Sequence, residues 1–209
     1  MKVLVLGATG ATGQQIVTQA LEQAHEVTAF VRNPDRLTIS KDRLRVITGS
    51  VTEAGGALAE AVRGQDAVIS ALGVGNSLKS FNLISRSMPT IVAAMESQGV
   101  RRLIFVSAFG VGDTRRVVPL LPRVLQRLLL ADVFADKMAG EEYLRRSGVD
   151  WTLIYPVILT NGPRTSKYRV GERLDLRGVP KISRADVAQF ALLQLKKTTY
   201  LRKGALISN

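Results

Sequence analysis

The sequence predicts an α/β fold in which helices cover both faces of a doubly wound parallel sheet. Short β-branched runs alternate with longer helical patterns along most of the chain, which is the order of elements in repeated βαβ units. A glycine-rich turn directly follows the first of these runs. The length of 209 residues, with 46% hydrophobic residues, suits one sizeable core and is short for two domains. We therefore expect one domain that spans residues 1–209.

Six strands and five helices account for most of the chain. The expected strands are Lys2–Leu6, Glu26–Val31, Leu44–Ile47, Ala67–Ala71, Arg102–Ser107 and Trp151–Tyr155. The expected helices are Gly13–Gln23, Gly56–Val62, Leu83–Gln98, Asp132–Arg146 and Arg184–Lys196. In such a sheet, ligands bind in a crevice outside the carboxyl ends of the strands. The irregular, charged stretch after Pro156 predicts a small C-terminal region on the substrate side of that crevice.

Positive charge dominates the composition. The chain has 29 Lys and Arg against 17 Asp and Glu, which gives a formal net charge of +12. A charge of this size suits a nucleic acid, an anionic membrane or partner surface, or an anionic cofactor and substrate. The basic residues are dispersed in pairs, and aromatic residues make up only 5% of the chain. Nucleic-acid binding is therefore disfavoured, because no stacking platform or reader motif accompanies the charge.

Cysteine is absent and histidine occurs once, at His25. This composition excludes a disulfide framework and a metal site built from thiolates or a histidine cluster. We interpret His25 as structural, because it lies in the turn between the first helix and the second strand, away from the crevice; a Ser-His-Asp hydrolase is disfavoured for the same reason. No run approaches the roughly 18 apolar residues that a membrane span requires. We expect a metal-free, cytoplasmic protein.

The turn after the first strand has the spacing Gly7-x-x-Gly10-x-x-Gly13. Gly7 permits a tight exit from the strand, Gly10 permits close approach of a pyrophosphate, and Gly13 permits close packing of helix on strand. The following helix presents free N–H groups and the positive end of its dipole to phosphates. Because a strand precedes the motif and a helix follows it, the motif predicts a Rossmann-like dinucleotide site.

The end of the second strand indicates which dinucleotide fits. Sites that prefer NAD place a carboxylate there to bind the ribose 2′-hydroxyl. This chain instead has Arg32, Asn33 and Pro34, with no acid before Asp35. The fork-shaped guanidinium of Arg32 suits a 2′-phosphate, which Asn33 and Arg36 could also contact. NADP(H) is therefore the expected cofactor, and the alternative is that Arg32 is a solvated loop residue.

Several further segments carry a family resemblance that covers essentially the whole chain. They are the glycine turn, Val31–Pro34, Ile69–Gly73, Phe105–Phe109, Asp136-Lys137, Asp150–Pro156 and Ile182–Ala188. In these segments the chain resembles atypical short-chain dehydrogenases of the NAD(P)H-binding, NmrA-like group. Within that group it is most similar to biliverdin-IXβ reductase and flavin reductase proteins.

The resemblance implies a set of cofactor contacts. The pyrophosphate would lie on Gly7, Thr9, Gly10, Ala11, Thr12 and Gly13, and the 2′-phosphate on Arg32. The ribose and adenine side would pass Ala71, Leu72 and Gly73, and the nicotinamide would lie between Ser107 and Ala108 on one edge and Pro156 and Val157 on the other. Ser50-Val51 stands where relatives often have Asp-Val against the adenine, so the resemblance does not extend to that contact.

The usual catalytic pair of short-chain dehydrogenases is incomplete here. Such enzymes have a tyrosine four residues before a lysine on one helix, and the tyrosine transfers a proton. Lys137 stands where the lysine belongs, but the position four residues earlier is Val133. Lys137 can still bind the nicotinamide ribose, or it is a solvent-facing helical lysine. Ser107 is the second candidate catalytic residue, unless it is a strand-end serine bonded to backbone.

Hydride transfer without a tyrosine suits an electron-poor acceptor that takes its proton from water. We therefore expect an NADPH-dependent oxidoreductase that acts on a small, planar, anionic acceptor, either a flavin or a linear tetrapyrrole such as biliverdin. The alternative is a non-catalytic NADP(H)-binding redox sensor or assembly factor. A nucleotide-sugar epimerase or dehydratase is disfavoured by the small C-terminal region and the missing tyrosine. The sequence does not indicate an oligomeric state.

One segment, from Arg115 to Phe134, is both basic and strongly apolar. We expect it to form a flap over the acceptor pocket, where its leucines supply an apolar wall and its arginines meet an anionic substrate. The alternatives are peripheral contact with a membrane surface and an interface with a partner protein.

Overall fold

A mostly parallel sheet forms the centre of the computed structural model, which describes residues 1–53, 55–116 and 130–209. Its strands, with two short ones outside the sheet, are β1 Lys2–Leu6, β2 Glu26–Val31, β3 Leu44–Thr48, β4 Ala67–Ser70, β5 Arg102–Val106, β6 Asp150–Pro156, β7 Ile158–Thr160, β8 Arg169–Gly171, β9 Lys181–Ser183 and β10 Lys203–Ser208. The eight strands of the sheet have the order β3-β2-β1-β4-β5-β6-β10-β8, and β7 pairs with β9 separately. Only β8 runs antiparallel to its neighbour, β10.

Apolar runs that are buried on both faces explain the central strands. All four residues from Val3 to Leu6 have no exposed surface, and the same holds for Ala67–Ile69 and Leu103–Phe105. Such continuous burial is typical of parallel strands that are covered by helices on both sides. The edge strand β3 is largely exposed by comparison. The core therefore lies around β1, β4, β5 and β6.

Five α-helices lie in the described residues: α1 Ala11–Glu22, α2 Gly56–Val62, α3 Leu83–Ser97, α4 Ala131–Arg146 and α5 Arg184–Leu193. The crossovers through α1 and α3 run in opposite directions along the sheet, so right-handed connections place these helices on opposite faces. Helix α1 packs against α5, and Gln19 Nε2 donates a hydrogen bond across this contact to the Ala185 carbonyl at 2.9 Å. Helix α3 packs against α4.

Asp136 fixes α4 against the start of α3. Its carboxylate accepts hydrogen bonds from the backbone N–H groups of Ile84 at 2.9 Å and Ser85 at 2.8 Å. These donors lie in the first turn of α3, where the helix has no intrahelical acceptor for them. Gly140 allows the two helices to approach closely, since a Cβ there would lie 2.6 Å from Ile84 Cγ2. The positions of side chains on the inner face of α4 are set in this way.

The expected fold class is confirmed, with corrections at several boundaries. Strand β5 ends at Val106 and β4 at Ser70, so Ser107 and Ala71 are the first residues after their strands, and α1 begins at Ala11 rather than Gly13. The sequence analysis missed β10, whose six residues look like a short tail but continue the sheet beside β6. Of the expected flap from Arg115 to Phe134, residues 117–129 lie outside the described residues. In the parts that are described, no helix has the length and hydrophobicity of a membrane span.

Candidate functional site

The carboxyl ends of β1, β2, β4, β5 and β6 meet at one edge of the sheet. Gly7, Arg32, Ala71, Ser107 and Val157 are the residues that follow these strands. The backbone N–H of Ala71 donates to the Leu6 carbonyl at 2.9 Å, which fixes the exits of β4 and β1 side by side. All the segments that the sequence analysis assigned to a cofactor therefore border one crevice.

The glycine turn is shaped by contacts that leave no space for side chains. Gly7 has φ +78°, and a Cβ there would lie 2.7 Å from the Ala71 carbonyl oxygen. A Cβ on Gly13 would lie 2.0 Å from the Gly7 carbonyl oxygen. Gly10 is exposed and is the N-cap of α1, with no hydrogen bond from a capping side chain. The first N–H groups of α1 have no hydrogen-bond acceptor among the described residues, which fits a pyrophosphate.

A cavity of about 210 Å³ lies beside the ends of β2 and β3. Its lining includes Arg32, Val51, Phe81 and Arg86. Among the described residues, the guanidinium groups of Arg32 and Arg86 have no hydrogen-bond acceptor, and both arginines are exposed. Two cationic groups at one small cavity fit an anionic group such as a 2′-phosphate. Sequence reasoning missed Arg86, because only the packing of α3 brings it to Arg32.

The expected helpers of Arg32 differ in their surroundings. Asn33 caps the short 3₁₀ helix Pro34–Arg36, and its Oδ1 accepts a hydrogen bond from the Asp35 N–H at 2.9 Å. Its side-chain oxygen is therefore already used within the turn. Arg36 is exposed and does not line the cavity of Arg32 and Arg86.

At the other end of the crevice, Ser107 is held between β5 and β6. Its N–H donates to the Ile154 carbonyl at 2.8 Å, and the Phe109 N–H donates to the Pro156 carbonyl at 3.0 Å. These two bonds align Ser107 and Ala108 with Pro156. The Ser107 hydroxyl donates to Glu141 Oε1, so the expected alternative of a serine side chain bonded only to backbone is wrong.

Glu141 is a buried carboxyl group at the centre of a side-chain network, with only 2% of its surface exposed. Its Oε2 accepts a hydrogen bond from the Tyr155 hydroxyl at 2.8 Å. Arg145 donates to the Tyr155 oxygen at 3.1 Å and to Asp113 Oδ2 at 2.6 Å. Burial raises the pKa of Glu141, and the hydrogen bonds from Ser107 and Tyr155 oppose that rise. Burial and the neighbouring Glu141 raise the pKa of Tyr155.

Lys137 lies one turn before Glu141 on the inner face of α4. Only 8% of its surface is exposed, which shows that the expected alternative of a solvent-facing lysine is wrong. Its Nζ lies 5.3 Å from the centroid of the Phe105 ring, within the range of a cation–π contact. Burial lowers its pKa to about 8, against the attraction of Glu141 and Asp136. It makes no hydrogen bond to a described residue, which leaves its donors available to a ligand.

Sequence reasoning missed Glu141 and Tyr155. The spacing Lys137-x-x-x-Glu141 places both groups on one face of α4, and this was a usable signal. The role of Tyr155 depends on the pairing of β5 with β6, which no local pattern reveals.

Comparisons with known proteins identify the family to which the chain belongs. A family described as NAD(P)H-binding matches residues 7–198. The chain belongs to this NAD(P)H-binding family. The expected membership of the atypical short-chain dehydrogenase group and the expected cofactor class are thereby confirmed.

Three proteins illustrate what this member of the NAD(P)H-binding family resembles. It is 35% identical over 204 residues to an uncharacterised chloroplastic protein of Arabidopsis thaliana, covering 92% of this chain and 72% of that one. It is 25% identical to the photosystem II assembly factor Ycf39 of a Synechocystis strain, over 97% of this chain and 61% of that protein. The fold matches the anaerobillin reductase ChuY of Escherichia coli O157:H7 with a TM-score of 0.81 at 22% identity, covering 99% of this chain and 96% of that one.

Within residues 1–53, 55–116 and 130–209, no group of three or more His, Cys, Asp or Glu side chains is placed to hold a metal ion. His25 is buried at the turn between α1 and β2, where burial lowers its pKa.

Proposed function

We propose that this protein is an NADPH-dependent reductase that transfers hydride to a planar, anionic acceptor such as a flavin or a linear tetrapyrrole. The proposal rests on the side chains at the crevice edge near Ser107. This edge has a buried lysine, a serine and a buried carboxyl group, but no tyrosine one turn before Lys137. Ordinary carbonyl reduction would lack its usual acid there, whereas an electron-poor conjugated acceptor does not need a tyrosine.

The cofactor assignments remain part of the proposal. The pyrophosphate would be held by Gly7, Thr9, Gly10, Ala11, Thr12 and Gly13, and the adenine side by Ala71, Leu72 and Gly73. Arg32 would bind the 2′-phosphate, which selects NADPH over NADH, and Arg86 would add a second cation. When bound, NADPH supplies the hydride.

The nicotinamide end would be positioned by the residues around Ser107. Lys137 would donate to the nicotinamide ribose, since its donors have no acceptor among the described residues. Ser107 and Ala108 would border one edge of the ring and Pro156 and Val157 the other. Ile158, the next residue, is 55% exposed and offers apolar surface to a planar acceptor. The net charge of +12 favours an acceptor that carries carboxylates or phosphates.

Reductase relatives support the same class of activity in general terms. The chain is 29% identical over 156 residues to a Streptomyces griseus reductase that acts on a furan-derived methyl phosphate. That match covers 46% of the Streptomyces protein, so its substrate is not transferred to this chain. We propose a cytoplasmic location, with which a chain free of cysteine is compatible.

A non-catalytic assembly factor is the second candidate function. The similarity to Ycf39, a photosystem II assembly factor, favours it. A protein of this kind would bind NADP(H) without turnover, because no acceptor reaches the nicotinamide. The two functions therefore differ in one measurable property, which is cofactor oxidation.

The test is stopped-flow oxidation of NADPH with FMN, FAD, biliverdin and dichlorophenolindophenol as acceptors, beside titrations of NADPH and NADH binding. We expect saturable turnover with at least one planar acceptor. Arg32→Glu should weaken NADPH binding about 100-fold and NADH binding far less, because it replaces a charge-assisted contact by repulsion. Arg63→Glu is the matched control, since Arg63 lines a cleft at the amino ends of β1 and β2.

Two results would contradict the proposal. Tight NADPH binding without turnover on any acceptor would favour the assembly factor. Equal weakening of NADPH and NADH by Arg32→Glu would show that Arg32 does not contact the 2′-phosphate.

A further inference from the structure

A continuous chain of hydrogen bonds runs from the crevice to a separate cleft. It starts at the Ser107 hydroxyl, passes through the two oxygens of Glu141 to the Tyr155 hydroxyl, and ends at Arg145 and Asp113. Ser107 follows β5, Glu141 lies on α4, and Tyr155 lies on β6. The inner members are almost completely buried, with exposed fractions of 6% for Ser107, 2% for Glu141 and 1% for Tyr155.

The outer end of the chain opens into a cleft of about 670 Å³. Tyr155, Arg145 and Asp113 line this cleft, together with Gly112 and Gly204. Asp113 is exposed, and the side chain of Arg145 is about one-third exposed. Water can therefore reach the outer members of the chain without passing through the cofactor crevice.

The surrounding backbone is shaped to admit this network. Gly112 has φ +51°, and a Cβ there would lie 2.2 Å from Glu141 Oε2 and 2.5 Å from the Tyr155 oxygen. A Cβ on Gly204 would lie 2.5 Å from Tyr155 Cε2 and 3.2 Å from Asp113 Oδ2. Burial of a carboxyl group costs free energy unless it is hydrogen-bonded, and here two glycines leave space for the bonded arrangement.

We propose that Glu141 is a proton-relay residue, which takes protons from the cleft through Tyr155 and passes them through the Ser107 hydroxyl to the bound acceptor. This inference rests on the proposed reductase function and names the source of its proton. Ser107 touches the acceptor and is the catalytic residue in this scheme. Glu141 and Tyr155 act through Ser107, and Arg145 holds the Tyr155 oxygen in place.

The transfer balances for a linear tetrapyrrole. NADPH is oxidised by two electrons and its hydride forms a C–H bond on a bridging carbon of the acceptor. The Ser107 O–H bond breaks as an N–H bond forms on a pyrrole nitrogen, and Glu141 returns a proton to Ser107. Tyr155 gives its proton to Glu141 and takes one from water in the cleft. The acceptor gains one hydride and one proton, and solvent supplies the proton.

The charges around Glu141 fit a group that exchanges protons. Lys137 and Arg145 face it from α4, Tyr155 from β6 and Ser107 from the end of β5, while Asp113 neutralises the far side of Arg145. The raised pKa of Glu141 keeps the carboxyl protonated at a higher pH than an exposed glutamate. Because the pKa of Tyr155 is also raised, this hydroxyl exchanges one proton for another rather than ionising.

The test compares two acceptors in wild type and Glu141→Gln. Biliverdin requires a proton together with the hydride, whereas the cationic dye methylene blue becomes neutral on accepting hydride alone. We expect Glu141→Gln to slow biliverdin reduction about 100-fold and methylene blue reduction far less. The wild-type rate with biliverdin should fall as pH rises through the pKa of Glu141, and the variant should lose that dependence. Glu142→Gln is the matched control, since the neighbouring Glu142 is exposed and pairs only with Arg146 among the described residues.

A second variant and a spectroscopic measurement keep the test decisive if Glu141→Gln folds poorly. Tyr155→Phe retains the contact of Ser107 with Glu141 but cuts the path to the cleft, so we expect slower biliverdin reduction, a changed solvent isotope effect and normal NADPH binding. Infrared difference spectra should show a carboxyl band that titrates in wild type, changes in Tyr155→Phe and is absent in Glu141→Gln.

The outcomes that would overturn the relay differ in what they imply for the proposed reductase. Wild-type turnover with an unchanged rate and pH profile in Glu141→Gln would overturn the relay and leave the reductase in place. Equal losses with biliverdin and methylene blue would also overturn it, because Glu141 would then only position Ser107. Absence of turnover in wild type would overturn both proposals.

Discussion

The two ends of the proposed cofactor crevice differ in what determines their shape. At the end proposed for the adenosine, the backbone determines the shape: a Cβ on Gly7 or Gly13 would collide with a carbonyl oxygen, and the exposed Arg32 and Arg86 supply charge. At the end proposed for the nicotinamide, the arrangement comes from buried side chains whose hydrogen bonds join distant parts of the chain. Ser107 and Glu141 are 34 residues apart in sequence. One end therefore depends on the absence of side chains and the other on their mutual contacts.

The largest expected effect concerns the glycine turn, whose shape depends on close backbone contacts. Gly13→Ala places a Cβ 2.0 Å from the Gly7 carbonyl oxygen, and neither main-chain segment can move without opening the contact of α1 with β1. We expect a loss of about 3 kcal/mol or more in the free energy of unfolding, at the upper end for overpacking, and no measurable NADPH binding. Chemical denaturation and a fluorescence titration measure the two effects.

Gly56→Ala is the control for this substitution. Gly56 begins α2, and a Cβ there would have no heavy atom of a described residue within 4 Å. Alanine is the better helix former, so stability should stay equal or rise by up to about 1 kcal/mol. If Gly13→Ala were as stable as Gly56→Ala, the close contact with Gly7 would not determine the shape of the turn.

The same difference explains what the sequence could predict. The glycine spacing after β1 and the missing acid after β2 are local patterns, so they indicate a dinucleotide site without any knowledge of packing. Short strand-like runs predict the bounds of β1 and β2, and a helical pattern predicts those of α2, as the structure has them. These features depend on residues that are neighbours in sequence.

The nicotinamide end could be predicted only in part. Ser107 and Lys137 were identified from position and family pattern, but their surroundings depend on how α4 packs against α3 and how β6 pairs with β5. Glu141 and Glu142 are adjacent acids in the sequence, and only the fold distinguishes the buried Glu141 from the exposed Glu142. Strand β10 was missed for a similar reason, because its short apolar run becomes a strand only beside β6.

A second prediction concerns the pH dependence of stability, to which the buried Lys137 should contribute. In the folded protein Lys137 has a pKa of about 8, below its ordinary value of 10.5, so between these values the unfolded chain binds more protons. Stability should therefore rise with pH across this window, and the full cost of the buried charge remains below pH 8. Lys137→Met should remove that dependence and raise the free energy of unfolding at neutral pH by about 2 kcal/mol.

Denaturation curves at several pH values measure this effect, with the exposed Lys197→Met as the matched control. Lys137→Met should also weaken NADPH binding, because the proposed contact with the nicotinamide ribose is lost. A variant that is less stable than wild type at neutral pH would show that the attraction of the ammonium to Glu141 and its contact with the Phe105 ring outweigh the cost of its burial.

The smallest expected effect concerns the second cation of the adenosine end. Arg86 lies on α3, is exposed, and reaches the same cavity as Arg32. We expect an arginine on an exposed helix face to contribute less to the binding free energy of the 2′-phosphate than one in a strand-end turn. Arg86→Ala should therefore weaken NADPH binding about 10-fold and leave NADH binding nearly unchanged. The loss should shrink as salt is added, because exposed charges are screened. Equal losses of affinity for NADPH and NADH would instead show that Arg86 contacts a group that both dinucleotides contain. The preference for NADPH would then depend on the Arg32 turn alone, as the local sequence pattern already indicates.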